Sequence, residues 1–226
     1  MIFNIRKNFI CIFCGEKKTE GKRFRGGCGI CSECNVKVER TPIGGTFEGR
    51  GNVEYVIAAL FYEGLTRDAI MRYKFEGWSC NADVFSYIMK RCTEQFPHLK
   101  EFDLSIPVPL SFERYRERGF NQSLPLAKAV ADAAGIKCGK DLLVKIRNTK
   151  RQSRLTSDER VNNVFNAYIA MPEVKGKRII LVDDIYTTGA TMDECARTLK
   201  EAGAAEVIGV SLSIKYKKEK SLMSRY

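Results

Sequence analysis

Two adjacent carboxylates, Asp183 and Asp184, sit in the run RIILVDDIYTTGAT, from Arg178 to Thr191. Side by side they offer acceptor oxygens to a pair of neighbouring hydroxyls. Behind them come Thr187, Thr188, Gly189, Ala190 and Thr191, a turn of small and hydroxyl-bearing residues that can converge donors on a phosphate dianion. Such chemistry needs a fixed frame, and the flanking residues predict one. Ile179 to Val182 is an unbroken, β-branched apolar run, the signature of a strand buried on both faces. From Met192 to Ala202 the pattern becomes helical. A strand, a polar turn and a helix N-terminus bring unpaired N–H groups and the positive end of the helix dipole to one spot. In an open α/β sheet that spot lies beyond the carboxyl ends of the strands, where ligands bind.

Two other stretches carry the residue types of an anion site. Phe102 to Val108 predicts a buried strand that ends in the PVPL of 107–110, followed by SFERYRERGFNQS. Here Arg114, Arg116 and Arg118 stand beside Gly119, and Asn121 and Gln122 lead into a helix expected from about Ser123 to Ala134, stopped by Gly135. Guanidinium forks and amides after a strand make an oxyanion cradle. The third stretch runs from Arg147 through Gln152 to Leu155, and then from Arg160 through Asn163 to Phe165. It is basic, polar and without apolar periodicity, and it predicts a mobile loop.

The cysteines point to a different chemistry. The chain has nine, an odd number that excludes full pairing into disulfides, and five of them crowd between positions 11 and 34. Cys11 and Cys14 form a CxxC knuckle with Gly15 after it to close the turn. CGICSEC then supplies Cys28, Cys31 and Cys34. Two CxxC pairs across so short a connection predict one tetrahedral Zn²⁺ site. Cys28/Cys31 and Cys31/Cys34 both have the spacing; Cys31 and Cys34 are preferred because Gly29-Ile30 makes an apolar approach to the knuckle, which leaves Cys28 as a spare or alternate ligand. Four thiolates leave no open position, so the metal is expected to be structural, and so small a module depends on it for stability. Cys80, Cys92, Cys138 and Cys195 are read as small buried hydrophobes.

The rest of the chain has to position these groups. Its 226 residues, 44% hydrophobic, suffice for one main domain and a small appendage. Thr41 to Gly45 reads as the linker between them. A strand over 53–62, helices over 65–75 and 82–96, and a last strand over 206–214 complete an alternating α/β pattern. His98 follows Pro97 in a loop and is expected to be solvated. The formal net charge of +11 favours polyanionic ligands, either phosphorylated small molecules or nucleic acid. No apolar run approaches the roughly 20 residues of a membrane helix, and Arg6 and Lys7 interrupt the apolar opening, so a cytoplasmic protein without membrane insertion is expected. Dinucleotide binding is excluded because no GxGxxG follows a strand and opens a helix.

VDDIYTTGAT resembles the PRPP-binding motif of type I phosphoribosyltransferases (PRPP is 5-phosphoribosyl 1-pyrophosphate), departing from many members at Tyr186, where they carry a branched aliphatic residue. Together with the CxxC pairs, YxxKFEG, VPVPL…RYRERGFNQ and RxxTxxQ…RxxNV, it resembles the ComF family of phosphoribosyltransferase-like competence proteins. The resemblance implies an α/β fold, a parallel sheet flanked by helices, with a small N-terminal zinc-finger module: residues 1–45 for the module and 46–226 for the phosphoribosyltransferase domain. It implies that Asp183 and Asp184 hold the ribose hydroxyls of PRPP, and that Thr187, Thr188, Gly189, Ala190 and Thr191 wrap the 5′-phosphate. Arg114, Arg118, Gly119, Asn121 and Gln122 correspond to the pyrophosphate loop. Arg147, Gln152, Arg160 and Asn163 correspond to the flexible loop, a lid that excludes water from a glycosyl cation. Mg²⁺ would accompany PRPP. The implied reaction displaces pyrophosphate at ribose C1, with no side chain standing out as a general base. The implied setting is natural competence and DNA uptake, beside a helicase-like protein of the ComF operon. A second reading, of another class, is a non-catalytic factor that binds single-stranded DNA and uses PRPP only as a ligand. The charge and the interleaving of Phe112, Tyr115 and Phe120 with arginines favour it.

Overall fold

The computed structural model describes residues 8–40, 44–75, 81–148 and 163–215. The cysteine-rich start forms a small sheet of β1 (Phe9–Cys11), β2 (Lys17–Lys18), β3 (Gly21–Arg23) and β4 (Cys28–Cys31), followed by α1 (Ser32–Arg40). Spatial order is β2-β1-β4-β3, with β1 and β4 parallel and both outer strands antiparallel. The 15–27 connection, poor in apolar residues, therefore contributes two short strands, because β1 and β4 offer it free edges.

The central sheet contains β5 (Gly45–Glu48), β6 (Tyr55–Phe61), β7 (Leu104–Pro107), β8 (Lys137–Cys138), β11 (Arg178–Tyr186) and β12 (Glu206–Ile214). Their order is β5-β6-β12-β11-β7-β8, parallel throughout except for β5 at one edge. A separate ribbon pairs β9 (Leu143–Lys145) with β10 (Tyr168–Ala170). The helices are α2 (Gly64–Phe75), α3 (Asn81–Thr93), α4 (Phe112–Arg118), α5 (Ser123–Ala134) and α6 (Ala190–Glu201).

β11 shows why the sheet is central. Ile179, Ile180, Leu181 and Val182 are all fully buried. Alternation sends Ile180 and Val182 into a core with α3, α5 and the cysteine sheet, and Ile179 and Leu181 into a second core with α6. Each such side chain contributes about 1.5–3 kcal/mol on burial. The expected two-sided strand is present, and it runs on through both aspartates to Tyr186 because β12 continues to pair with it as far as Ile214.

Other boundaries move by a few residues. α6 begins at Ala190, two residues earlier than periodicity predicts, because Gly189 takes the left-handed conformation that starts it. α3 ends at Thr93, where Thr93 turns its hydroxyl back to the Met89 carbonyl, rather than at Phe96. The largest change is α4, in a segment read as a loop. FERYRER has good helix formers, Glu113 in its first turn, and Gly119 in the left-handed conformation to stop it. Among the described residues no helix is long and apolar enough to cross a membrane.

Candidate functional site

On one side of β11 the strand β7 pairs only as far as Pro107, opposite Val182. On the other side β12 continues. Asp183 and Asp184 therefore sit where one neighbour has left the sheet, and a cleft of about 420 Å³ opens there. Its walls include Asp183, Asp184, Thr187, Gly189, Ala190 and Thr191 from the β11–α6 segment. Arg114, Arg118 and Gln122 from the α4 region face them. Arg114 and Arg118 are four residues apart, so one face of α4 presents both.

The carboxylates are held individually. The Ser123 hydroxyl donates to Asp183 Oδ1 at 3.0 Å, and the Asp184 amide donates to the same oxygen at 2.9 Å. Lys74 Nζ lies 2.9 Å from Asp184 Oδ2, with the two side chains 15% and 8% exposed. Burial, and then the neighbouring Asp184 carboxylate, push Asp183 up to about 7 in spite of the opposing Lys74. On the facing wall burial lowers Arg118, and nearby Arg114 adds to the effect while Asp184 and Asp183 oppose it. Arg118 Nη1 donates to Gln122 Oε1 at 2.9 Å. The site thus places two acidic groups against clustered guanidinium groups in a shared low-dielectric cleft.

The Thr187–Thr191 turn is braced from below. Arg50 Nη1 donates to the Thr188 carbonyl at 3.1 Å, and its Nε lies 3.7 Å from Asp193 Oδ2. Asp193, in the first turn of α6, also accepts from the backbone and side-chain nitrogens of Asn52, each at 2.8 Å. Gly189 has φ +78°, and a Cβ there would run into the Tyr186 hydroxyl. The tyrosine that departs from the family pattern thus fills the space beside this glycine. Thr188 does not line the cleft; its hydroxyl oxygen is buried without a hydrogen-bond partner.

Other predicted residues fall elsewhere. Asn121 braces its own turn, donating to the Val108 carbonyl at 3.1 Å and accepting from the Ser123 amide at 3.0 Å. Gly119 ends α4 and is not in the cleft wall. Arg147 donates to the Asn163 carbonyl at 3.2 Å and also to that of Phe165, so these two flexible-loop positions meet each other across the base of the loop. Gln152 and Arg160 lie outside the described residues. His98 is exposed, its Nε2 3.0 Å from the Tyr55 hydroxyl.

Sequence reasoning missed several residues of the wall. Lys74, Ser123, Lys145 and Tyr168 all line the cleft. Burial, then Arg114, lowers Lys145 to about 8. Its signal was available: on β9, Leu143 is buried and Val144 exposed, so Lys145 shares the inward face by alternation. Lys74 was harder to find, since a lysine in the last turn of a helix is ordinarily a partner for the helix dipole.

The second candidate site is metal-like. The sulfurs of Cys11, Cys14, Cys31 and Cys34 all lie within 4.8 Å of one another. Tetrahedral Zn–S bonds of about 2.3 Å put sulfurs about 3.8 Å apart, so a small inward adjustment completes the site. The knuckle is formed as its glycine predicts: Gly15, at φ +77°, donates to the Cys11 carbonyl at 2.8 Å. Burial opposes ionisation of Cys11, but donors from Cys31, Cys14 and Phe13 outweigh it and bring this thiol below its usual range. Cys14 and Cys34 are pushed up, by burial first and then by the neighbouring sulfurs. Sulfurs that resist joint ionisation are what a dication at their centre would relieve. Cys28, the alternate ligand, stands outside this group and is disulfide-bonded. Cys92 and Cys195 are buried as expected, and Cys138 is only half-buried.

Comparison with known proteins agrees with this geometry. The phosphoribosyl transferase domain family matches residues 121–226. The chain is 36% identical over 155 residues to competence protein ComFC of Streptococcus pneumoniae, covering 69% of this chain and 66% of that protein. It is 31% identical over 199 residues to competence protein ComFC of Bacillus subtilis, covering 87% and 73%. With competence protein F of Haemophilus influenzae it shares 27% over 222 residues, covering 88% and 94%. The α/β sheet with helices on both faces, the strand-end carboxylate pair, the four-sulfur group and these relatives agree: the chain belongs to the ComF family of phosphoribosyltransferase-type competence proteins.

Proposed function

We propose that the cleft binds PRPP together with Mg²⁺ and transfers its phosphoribosyl group to a base or related acceptor, releasing pyrophosphate, in the service of DNA uptake. The observation that carries this is the juxtaposition of Asp183 and Asp184 with the Thr187–Thr191 turn at the open end of β11, opposite Arg114 and Arg118. In this reading the carboxylates accept from the ribose 2′- and 3′-hydroxyls. The 5′-phosphate meets the turn and the start of α6, where amide donors converge. Arg114 and Arg118 then face the pyrophosphate and stabilise charge as it leaves C1. Mg²⁺ would enter on the pyrophosphate oxygens and neutralise part of that charge. Fixed charge and position supply the catalysis, which accords with the lack of a dedicated base. Arg147 and Asn163, with Gln152 and Arg160, would belong to the closing loop.

The metal of the Cys11, Cys14, Cys31, Cys34 group would be structural zinc. We assign residues 1–45 to that module and 46–226 to the phosphoribosyltransferase domain, the two sharing one core. A helicase-like protein of the ComF operon is the proposed partner.

A second reading is favoured by the outer face of α4. Phe112 and Tyr115 are 72% and 51% exposed, and the Arg116 guanidinium lies 5.9 Å from the centre of the Phe112 ring. Aromatic faces beside arginines are a stacking platform for single-stranded DNA, and PRPP would then be a ligand without turnover. Pyrophosphate release from PRPP, assayed with each common base as acceptor, separates the two. Release with any base supports transfer; PRPP binding with no release from any of them supports the second reading.

A further inference from the structure

Three consecutive residues near the end of α2 reach three different parts of the molecule. Arg72 Nη2 donates to the carbonyls of Ile12 and Phe13, inside the Cys11–Cys14 knuckle, at 2.7 and 2.9 Å. The Tyr73 hydroxyl donates to the Gln122 carbonyl at 2.9 Å, at the turn that follows the α4 arginines. Lys74 pairs with Asp184 at 2.9 Å. A line of rings repeats the connection. Phe13 of the knuckle packs edge-on to Phe85 (6.4 Å between centres) and Phe85 edge-on to Tyr73 (5.2 Å), while Tyr73 meets Phe120 at a tilt (5.4 Å). Tyr73 and Phe85 are fully buried, and Phe13 is 1% exposed.

We infer that α2 couples the four-sulfur group to the carboxylate pair, so that metal in the knuckle sets the affinity of the cleft for its phosphoribosyl ligand, with Lys74 as the positioning residue. The inference rests on the PRPP reading of the cleft. Its physical basis is that the carbonyls of Ile12 and Phe13 are oriented by the fold of the knuckle: packing buries the Ile12 and Phe13 side chains, and metal would fix how Cys11 and Cys14 stand against Cys31 and Cys34. Loss of the metal lets those carbonyls shift, and Arg72 loses two acceptors that, beside the buried Tyr73, help to fix the last turns of α2. Lys74 then no longer holds Asp184 in place or offsets its charge beside Asp183. A carboxylate pair without its cation keeps a proton, and a protonated acid is a poor acceptor for two hydroxyls. Coupling of this kind passes through packed side chains with defined partners, and it is reciprocal: ligand in the cleft tightens the hold on the metal.

The test is calorimetric binding of PRPP with Mg²⁺ to the full chain. Four samples are compared: the metal-loaded protein, the protein stripped of knuckle metal, Arg72→Met, and Lys74→Met, the variants checked for metal content and melting. Arg72→Met retains stoichiometric metal because it leaves the cysteines intact. We expect binding to weaken about tenfold in the stripped protein and in both variants, about 1.4 kcal/mol. Lys74→Arg restores most of the affinity, and stripping metal from Lys74→Met costs nothing further. Amide exchange, read without ligand, accelerates in residues 64–75 when the metal is removed. Full affinity in Arg72→Met and in the stripped protein overturns the coupling, as does tighter binding by Lys74→Met or unchanged exchange in α2. Absence of binding by the metal-loaded wild type is a separate result, which removes the PRPP reading and the coupling with it. If Arg72→Met fails to fold, the stripped sample and the Lys74 pair of variants still decide.

Discussion

The Ser123 hydroxyl donates to Asp183 Oδ1 at 3.0 Å and ties the first residue of α5 to the strand-end carboxylate. Ser123 is itself placed by Asn121, whose side-chain oxygen accepts from its amide. The turn between the α4 arginines and α5 therefore sets the position of a ribose-binding candidate on another strand. Ser123, the Asp184 amide and Lys74 all favour the ionised form of Asp183; burial and the Asp184 charge oppose it and prevail.

This balance gives a pH dependence with a definite sign. Asp183 titrates near 7 in the folded chain and near 3.9 unfolded, so between those values the folded state holds the extra proton. Its contribution to stability is therefore present below about pH 4 and is lost as pH rises to about 7. Asp183→Asn, which carries no ionisable group, is expected to gain roughly 1–3 kcal/mol relative to wild type between pH 5 and pH 8. Melting of the ligand-free proteins across that range checks it. Parallel curves for wild type and variant would contradict it. Lys145 lines the same cleft and is lowered to about 8, so the inflection assigned to Asp183 is read below that value.

Gly189 is required twice over, by its left-handed backbone and by the Tyr186 hydroxyl in the path of any Cβ. Gly189→Ala should destabilise by roughly 1–2 kcal/mol on backbone grounds, with the collision adding to it. Combining it with Tyr186→Phe should recover the part of the collision that the hydroxyl causes and leave the backbone part, with a residual contact to the ring. Denaturant melts of the three variants measure this, and an additive double mutant would show that the two residues do not interact.

The four-sulfur assignment makes a clean distinction among the cysteines. Cys31→Ser and Cys34→Ser should each lose bound metal and lower the melting temperature. Cys28→Ser should keep one metal per chain. Elemental analysis of purified protein reads this directly, and stoichiometric metal in Cys34→Ser would refute the ligand set.

The exposed face of α4 can be separated from the cleft. Phe112 and Tyr115 do not line it. Phe112→Ala with Tyr115→Ala should weaken single-stranded DNA binding by about 2–6 kcal/mol if both rings stack on bases, and leave PRPP binding within error. Wild-type DNA affinity that barely changes between low and high salt would argue against phosphate contacts altogether.

Residues with local signatures were legible in the sequence, and residues placed by distant partners were not. The β11 core, Gly135 at the end of α5 and the last strand at 206–214 follow from periodicity and turn chemistry, and the structure has them. The knuckle follows from spacing, and three-dimensional proximity groups Cys34, not Cys28, with the other three sulfurs. Arg50, Asn52 and Asp193 were invisible because they meet across 141 to 143 residues of chain. Lys74 was hidden because its partner Asp184 is on another element. α4 was missed because an arginine-rich turn and a short exposed helix have nearly the same composition, and no buried face betrays the helix.

The central claim is that the Asp183–Asp184 pair receives the ribose of PRPP. Calorimetric titration of PRPP with Mg²⁺ into wild type and into the double variant Asp183→Asn, Asp184→Asn, both verified as folded, tests it most directly. Wild type should bind, and the double variant should lose at least about 3 kcal/mol, or more than a hundredfold, as two charge-assisted hydrogen bonds disappear. Equal affinities in the two proteins would contradict the account.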